Sequence, residues 1–212
     1  MATTETRAPA RERLLDAAEE LFYEHGIAAT GVDAVLRRAG VAPATLYAHF
    51  PSKDHLVAAY LTRRLERWRT TWDTVLERCG DDPTARALSV LDALEEFQRS
   101  PGSARGCAFL AASVEVVDAA HPAHEVVAAD TRLLHERLHA QAAATGAADA
   151  EALATELLLV YDGALAARAR GSLAGDGRLP LDTARALARA AVERHTTIGV
   201  APPSIDTIAP LT

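Results

Sequence analysis

Apolar residues recur along this chain at intervals of three and four, the spacing that gathers them on one face of an α-helix. The first stripe lies in residues 11–23, with Leu14, Ala17, Ala18, Leu21 and Phe22, and Gly26 follows as a C-terminal stop. Thr30 and Asp33 form a T-x-x-D capping box that opens a second short helix ending at Ala39. Gly40 breaks that helix. Pro43 suits the first turn of a third, which runs to about His49 before Pro51 stops it. Ser52 caps a fourth helix over 52–79, roughly 40 Å at the α-helical rise. Its inward stripe reads Val57, Leu61, Leu65, Trp68, Trp72, Val75 and Cys79.

Asp81, Asp82 and Pro83 mark a boundary, and helical patterns resume over 84–99, 107–120, 123–144, 149–170 and 182–197. Loops at 100–106 and 171–180 interrupt them. Residues 201–212 carry prolines without a period and read as a tail. The expected organisation is three short helices within 1–51, a larger helical unit over 52–200, and that tail. About nine helices and no strand make the fold class all-α. The excess of alanine (47) and leucine (26), with 5% aromatic residues, agrees with it.

Residues 30–53 carry the most specific signal. Two short helices joined by a glycine-containing turn make a helix-turn-helix. Val35, Leu36, Ala39, Val41, Leu46 and Phe50 supply its apolar faces, with Leu21 and Ile27 from the first helix. Helices this short are marginal alone, so their use is to hold a tripod that projects the third helix outward. That helix opens on small residues, Ala42, Pro43, Ala44 and Thr45, which allow close approach to base edges. Tyr47 and His49 extend polar tips toward phosphate oxygens. Ser52 and Lys53 start the next helix, where free N–H groups and the helix dipole favour an anion. Out of context, the same residues serve equally well to cap and pack three short helices.

Charge narrows how such a surface can work. The chain has 22 basic and 29 acidic residues, a formal net charge of −7, which argues against coating nucleic acid by bulk attraction. The single lysine is Lys53, at the position suited to a phosphate. Cys79 and Cys107 are too few for a disulfide framework and sit in apolar patterns, as reduced thiols of a cytoplasmic protein would. No run approaches the ~20 apolar residues of a membrane span, and residues 1–9 are polar, so a cytoplasmic protein without a membrane partner is expected.

The segments LLDAAEELFYEHG (14–26) and RRAGVAPATLYAHFPSKDHL (37–56), with the core G-V-x-x-x-T-L-Y-x-H-F-x-S-K, resemble the DNA-binding domain of the TetR family of transcriptional regulators. The resemblance covers about residues 10–60; the remainder matches the family in length and helix count. It implies a homodimer that lays each third helix in a major groove of a palindromic double-stranded operator. It also implies a repressor released by a small-molecule effector bound in the larger unit, with the last two helices forming the dimer contact. Residue by residue, it implies that Pro43 and Ala44 line base edges and that Thr45 contacts bases or backbone. Tyr47, His49, Lys53 and Thr30 would clamp phosphates. Ala42 and Gly31 stand where the family often has hydroxyl residues, and Asp33 where some members have a base-reading arginine. Arg37 and Arg38 face either DNA or solvent.

For the effector, Trp72, Phe97, Cys107, Phe109 and Tyr161 are the aromatic and polarizable residues able to line a cavity, although each reads equally as core. No strongly charged pocket motif stands out, which favours an apolar or neutral ligand. His135, Glu136 and His139 match H-E-x-x-H, a zinc-hydrolase pattern, but Arg137 would set a cation beside the metal and the stretch also reads as a plain amphipathic helix. His121 and His124 are the other histidines that could join a metal site. The glycines of GSLAGDG (171–177) follow a helix and lack the phosphate-loop lysine. The expectation is a non-enzyme without metal or cofactor, with a zinc hydrolase or a helical interaction module as the alternatives.

Overall fold

The structure, a computed structural model, describes residues 8–99, 107–173 and 180–197. These form nine helices and no strand. They are α1 (Ala10–His25), α2 (Val32–Ala39), α3 (Pro43–His49), α4 (Lys53–Arg78), α5 (Pro83–Gln98), α6 (Ala108–Glu115), α7 (His124–Ala144), α8 (Ala150–Leu173) and α9 (Leu181–Thr197). The all-α expectation holds. The expected loop at 100–106 and the tail at 201–212 lie outside the described residues, as do 174–179 of the glycine-containing loop.

Three local expectations need correction. The T-x-x-D box does not cap α2, whose N-cap is Gly31 without a side-chain bond. Thr30 is only 3% exposed, and its hydroxyl donates to the carbonyls of Gly26 at 2.7 Å and Leu21 at 3.2 Å, so it faces away from the helix end. The sixth helix ends at Glu115 rather than continuing to Ala120. There Asp118 accepts from the Ala120 N–H at 2.9 Å and its carbonyl from the His121 N–H at 3.0 Å, a local turn that competes with helix continuation. The eighth helix runs on past Arg170 to Leu173.

Two glycines shape the N-terminal tripod. Gly26 (φ +90°) ends α1 and Gly40 (φ +61°) ends α2, both in backbone conformations that side-chain-bearing residues rarely adopt. Arg13 reaches from α1 to donate to the carbonyls of Ala39 at 2.9 Å and Gly40 at 3.1 Å, pinning the turn between α2 and α3. The α3 helix is held by Leu46 (0% exposed), with Phe50 (3%) just beyond its end. Burial of each contributes roughly 1.5–3 kcal/mol, enough to dock a helix too short to persist alone.

The long α4 helix joins this tripod to everything else. Its first turns pack on α1, where the Phe22 and Tyr60 rings stand 5.9 Å apart. Ser52 caps it as expected, accepting from the His55 N–H at 3.3 Å. Farther along, Trp68 meets Trp72 and Phe97 at 5.5 Å and Tyr161 at 5.9 Å, binding α4 to α5 and α8. The expected stripe on α4 is buried throughout, with Cys79 half-buried at its end. The α9 helix runs antiparallel to α8: Arg194 and His195, near its end, pair with Glu156 near the start of α8 at 2.6 and 3.2 Å. At its other end Arg185 ties to Asp92 and Glu95 of α5. One apolar core runs unbroken from Leu14 to Val192.

Candidate DNA-binding surface and ligand cavity

The α3 helix turns one side chain inward and the rest outward. Pro43, Ala44, His49 and Tyr47 are exposed, the last at 55%, while Thr45 is half-buried and Leu46 fills the core. Ser52 and Lys53 continue this surface at the N-terminus of α4, and Lys53 makes no ion pair among the described residues. Seven of the eight residues expected to touch DNA therefore share or flank one exposed turn-and-helix surface. Thr30 does not, because its side chain is buried in the α1–α2 turn. Of the two undecided arginines, Arg38 is bound by both oxygens of Glu20 at 2.6 and 2.7 Å, whereas Arg37 is exposed without an ion pair among the described residues.

Beyond the α4 backbone, side-chain contacts connect this surface unit to the rest, those of Glu115 and Glu19 among them. Glu115, at the end of α6, accepts from the N–H groups of Ile27 at 3.3 Å and Ala28 at 2.5 Å. Glu19 of α1 is buried among Arg63, Arg64 and Arg67 of α4, with Arg63 at 2.8 Å and Arg64 at 3.5 Å. Arg64 is itself buried and lies over the Tyr23 and Phe97 rings, 5.0 Å from each centroid. A carboxylate on the apolar stripe of α1, between Leu15 and Phe22, was the sequence signal for this cluster.

A cavity of about 170 Å³ lies between α6, α7 and α8, with Cys107, Phe109, Tyr161, Asp130, Asp162 and His135 among its walls. A much smaller lobe, about 20 Å³, adjoins it across Cys107, Phe109, Asp130 and Tyr161 and is bounded on the far side by Arg64, Trp68 and Phe97. Three of the five expected effector residues, Cys107, Phe109 and Tyr161, thus line the cavity, and Phe97 bounds the small space beside it. Trp72 does not: it is fully buried and its indole N–H donates to Ser89 at 2.9 Å, a core role. A wider cleft of about 900 Å³ between α1 and α4 has mostly arginine and threonine walls and includes only Phe97 of the five.

The sequence favoured an apolar or neutral ligand for want of a charged motif, yet this cavity is lined by two carboxyl groups. Asp130 and Asp162 both reach it, and burial raises both carboxyls above their usual range, Asp130 to about 7. Asp162 raises Asp130 further while Arg64 opposes it. Burial and the neighbouring Cys107, Asp130 and Asp162 push the Tyr161 phenol well up, so it stays a neutral donor. The Cys107 thiol is pushed up to about 11 by burial and by Asp130, which keeps it protonated and weakly reactive. Asp130 shares the inward stripe of α7 with Leu134 and Leu138, and a carboxylate on an apolar stripe is a signal the sequence displayed.

The H-E-x-x-H residues do not come together as a metal centre. His135 is at the cavity wall, His139 is exposed 3.9 Å from Glu151, and Arg137 is held by Asp73 at 2.6 Å over the Trp72 ring. His121 pairs instead with Asp54 at 3.4 Å. Among the described residues no group of three or more His, Cys, Asp or Glu is arranged to hold a metal ion. None of the helices described is long and apolar enough to cross a membrane.

An outward-facing recognition helix on a helix-turn-helix, joined by one long helix to a cavity-bearing bundle, defines a helix-turn-helix transcriptional regulator. Residues 14–60 match the model of the bacterial regulatory proteins of the tetR family. A solved TetR-family transcriptional regulator from Streptomyces coelicolor is 33% identical, with a TM-score of 0.78 over 88% of this chain and 96% of that one. The chain belongs to the TetR family. Curated relatives match over shorter stretches. The regulator UidR of Escherichia coli is 39% identical over 28% of this chain and 30% of its own length. The repressor KstR of Mycolicibacterium smegmatis is 42% identical over 46% of this chain and 48% of its own.

Proposed function

We propose that two copies of this chain form a repressor that grips a palindromic operator through paired α3 helices and lets go when a small molecule enters the cavity. The observation that carries this reading is the division of α3 between one buried anchor, Leu46, and an outward face of Pro43, Ala44, Tyr47 and His49. Pro43 and Ala44 are small enough to let the backbone reach base edges, and Thr45 offers a hydroxyl and a methyl group. Tyr47, His49 and Ser52 donate to phosphates, and Lys53 adds a charge at a helix end already favourable to anions. Thr30 acts indirectly, by fixing the turn that orients α2.

The dimer face is the outer side of α8 and α9. Leu159 and Leu187 are exposed there at 65% and 56%, flanked by exposed Gly163, Ala166 and Ala186. Small residues around two leucines allow close helix approach and would bury what the single chain leaves wet. Such a dimer must hold its recognition helices about 34–36 Å apart to meet successive major grooves.

Release follows from a shift between two arrangements, which an effector can bias only by binding them unequally. Two elements touch both cavity and DNA-binding unit. The α6 helix lines the cavity with Phe109 and Ser113 and holds Ile27 and Ala28 through Glu115. The α4 helix carries Arg64, which reaches both the cavity lobe and Glu19. Tilting α4 would change the spacing of the α3 pair. Repression as the sign of regulation agrees with the role of the relative KstR, a transcriptional repressor, and a protein that acts on bacterial DNA would work in the cytoplasm. Binding and release alone carry the function, with no reaction assigned.

Selecting genomic fragments with the purified protein tests the reading. A palindromic site should emerge, and Lys53→Ala should weaken its binding and flatten the log–log salt dependence by about 1.8, one phosphate contact from each of the two subunits. Failure to select any fragment, or unchanged affinity and slope in Lys53→Ala, would overturn it.

A further inference from the structure

We propose that the cavity between α6, α7 and α8 receives a small organic cation, its charge held by Asp130 and Asp162 and its apolar body against Phe109, Leu134 and Tyr161. This rests on reading the cavity as the effector site and names the chemistry of what enters it.

The first argument is an unmet polar requirement. Asp130 is 7% exposed, faces the cavity and has neither hydrogen bond nor ion pair with any described residue. Buried carboxylates in folded proteins are paired, because removal from water is costly without a partner. Arg64 is the cation whose field reaches Asp130, but it is taken by Glu19 and stacked on Tyr23 and Phe97. Asp162 lines the same cavity and also lacks a partner among the described residues.

The walls give the sign of the missing charge. Among the described residues no lysine or arginine lines the 170 Å³ cavity; the titratable groups there are Asp130, Asp162, His135, Tyr161 and Cys107. An anion would meet two carboxyls there, whereas a cation would meet its complement. The Tyr161 ring offers a further face to a cation. In the adjoining lobe the Trp68 indole N–H and the Gln98 side-chain oxygen are buried without partners among the described residues, so this region is not a plain apolar void. A space of this size accommodates about one aromatic ring. The matching ligand is a monocyclic or short-chain amine.

A bound cation favours the ionised form of Asp130, so binding should expel a proton and strengthen as pH rises from 6 to 8. Among the described residues, the groups facing Asp130 during that titration are Arg64 from α4, Cys107 ahead of α6, His135 on α7, and Tyr161 and Asp162 on α8.

The test is calorimetric titration of the full chain with 2-phenylethylamine, 2-phenylethanol and phenylacetate at pH 6 and pH 8. The amine should bind at least tenfold more tightly than the alcohol at pH 8, with phenylacetate weakest. Asp130→Asn and Asp162→Asn should each erase the preference; two variants are used so that a folding defect in one leaves the other readable. Equal binding of the alcohol or phenylacetate, no binding by any of the three, or a preference that survives both substitutions would overturn the cation site. Operator retention measured alongside separates the two readings. Amine binding without operator release supports the cation site and overturns release by effector. Release by the alcohol or phenylacetate alone does the reverse.

Discussion

The Glu115 carboxylate, on the last turn of α6, accepts a 2.5 Å hydrogen bond from the backbone N–H of Ala28 in the turn between α1 and α2. Ile27 donates to the same carboxylate at 3.3 Å. A helix that walls the cavity thus holds, by its end, a turn of the DNA-binding unit. A gap of about 90 Å³ lies between them, bounded by Phe22, Ile27, Tyr60 and Ala111, and leaves room for α6 to shift. Glu115→Ala should raise hydrogen exchange at the Ile27 and Ala28 amides while leaving amides in the middle of α7 and α8 protected. Exchange measured by mass spectrometry with equal protection of 27–28 in both proteins would show that the contact does not order the turn.

Thr30 offers a way to separate fold from DNA contact. Its hydroxyl is shared between the Leu21 and Gly26 carbonyls, at 3.2 and 2.7 Å. Thr30→Val removes that donor inside a buried turn and should cost about 1–3 kcal/mol in chemical denaturation, with Thr30→Ser keeping most of it. The salt dependence of operator binding should match wild type in both. A flattened slope with unchanged stability would instead return Thr30 to the phosphate contacts.

The sequence was most informative where one side chain's job depends on near neighbours in the chain. Pro43 at the start of α3, Ser52 capping α4 and the α4 stripe from Val57 to Val75 all follow from periodicity and capping chemistry. The same local logic failed at Thr30, because an N-cap and a buried turn donor have the same sequence signature and the outcome depends on where α1 ends. It failed again beyond Glu115, where the Asp118 turn outweighs a helical pattern. The cavity's polarity was only half legible: Asp130 on the apolar stripe of α7 hinted at it, but its pairing with Asp162 did not show. Asp130 and Asp162 belong to different helices, and only packing of α7 against α8 makes them one feature. Glu115 and Arg13 likewise act on backbone atoms far along the chain, a kind of contact that leaves no pattern in residue types.

The proposed dimer face can be broken without touching the core. Leu159 and Leu187 are mostly exposed in the single chain, so Leu159→Glu and Leu187→Glu should leave its folding intact. In the dimer each would bury a charge without a partner, which is strongly unfavourable. Sedimentation should show a monomer for the double variant, with operator affinity falling at least tenfold because two half-sites are no longer held together. A double variant that stays dimeric would move the interface elsewhere on the surface.

Asp130 makes a prediction about stability and pH whose sign is fixed by its raised pKa. Burial, with Asp162 adding and Arg64 opposing, moves its carboxyl from an ordinary 3.8 to about 7 in the folded chain. Between those values the folded state keeps a proton that the unfolded state has released. The unfolded state therefore binds fewer protons, and stability falls as pH rises through this window, then levels above about 7. Over a shift of roughly three pH units the loss is on the order of 4 kcal/mol, spread across pH 4 to 7. Asp130→Asn keeps the shape and removes the titration. Denaturation at pH 4, 6 and 8 should show the variant close to wild type at pH 4 and progressively more stable at pH 6 and 8. Taking the difference between the two proteins cancels every other titrating group to first order, so a difference that stays constant with pH would show that Asp130 is as easily ionised in the fold as out of it.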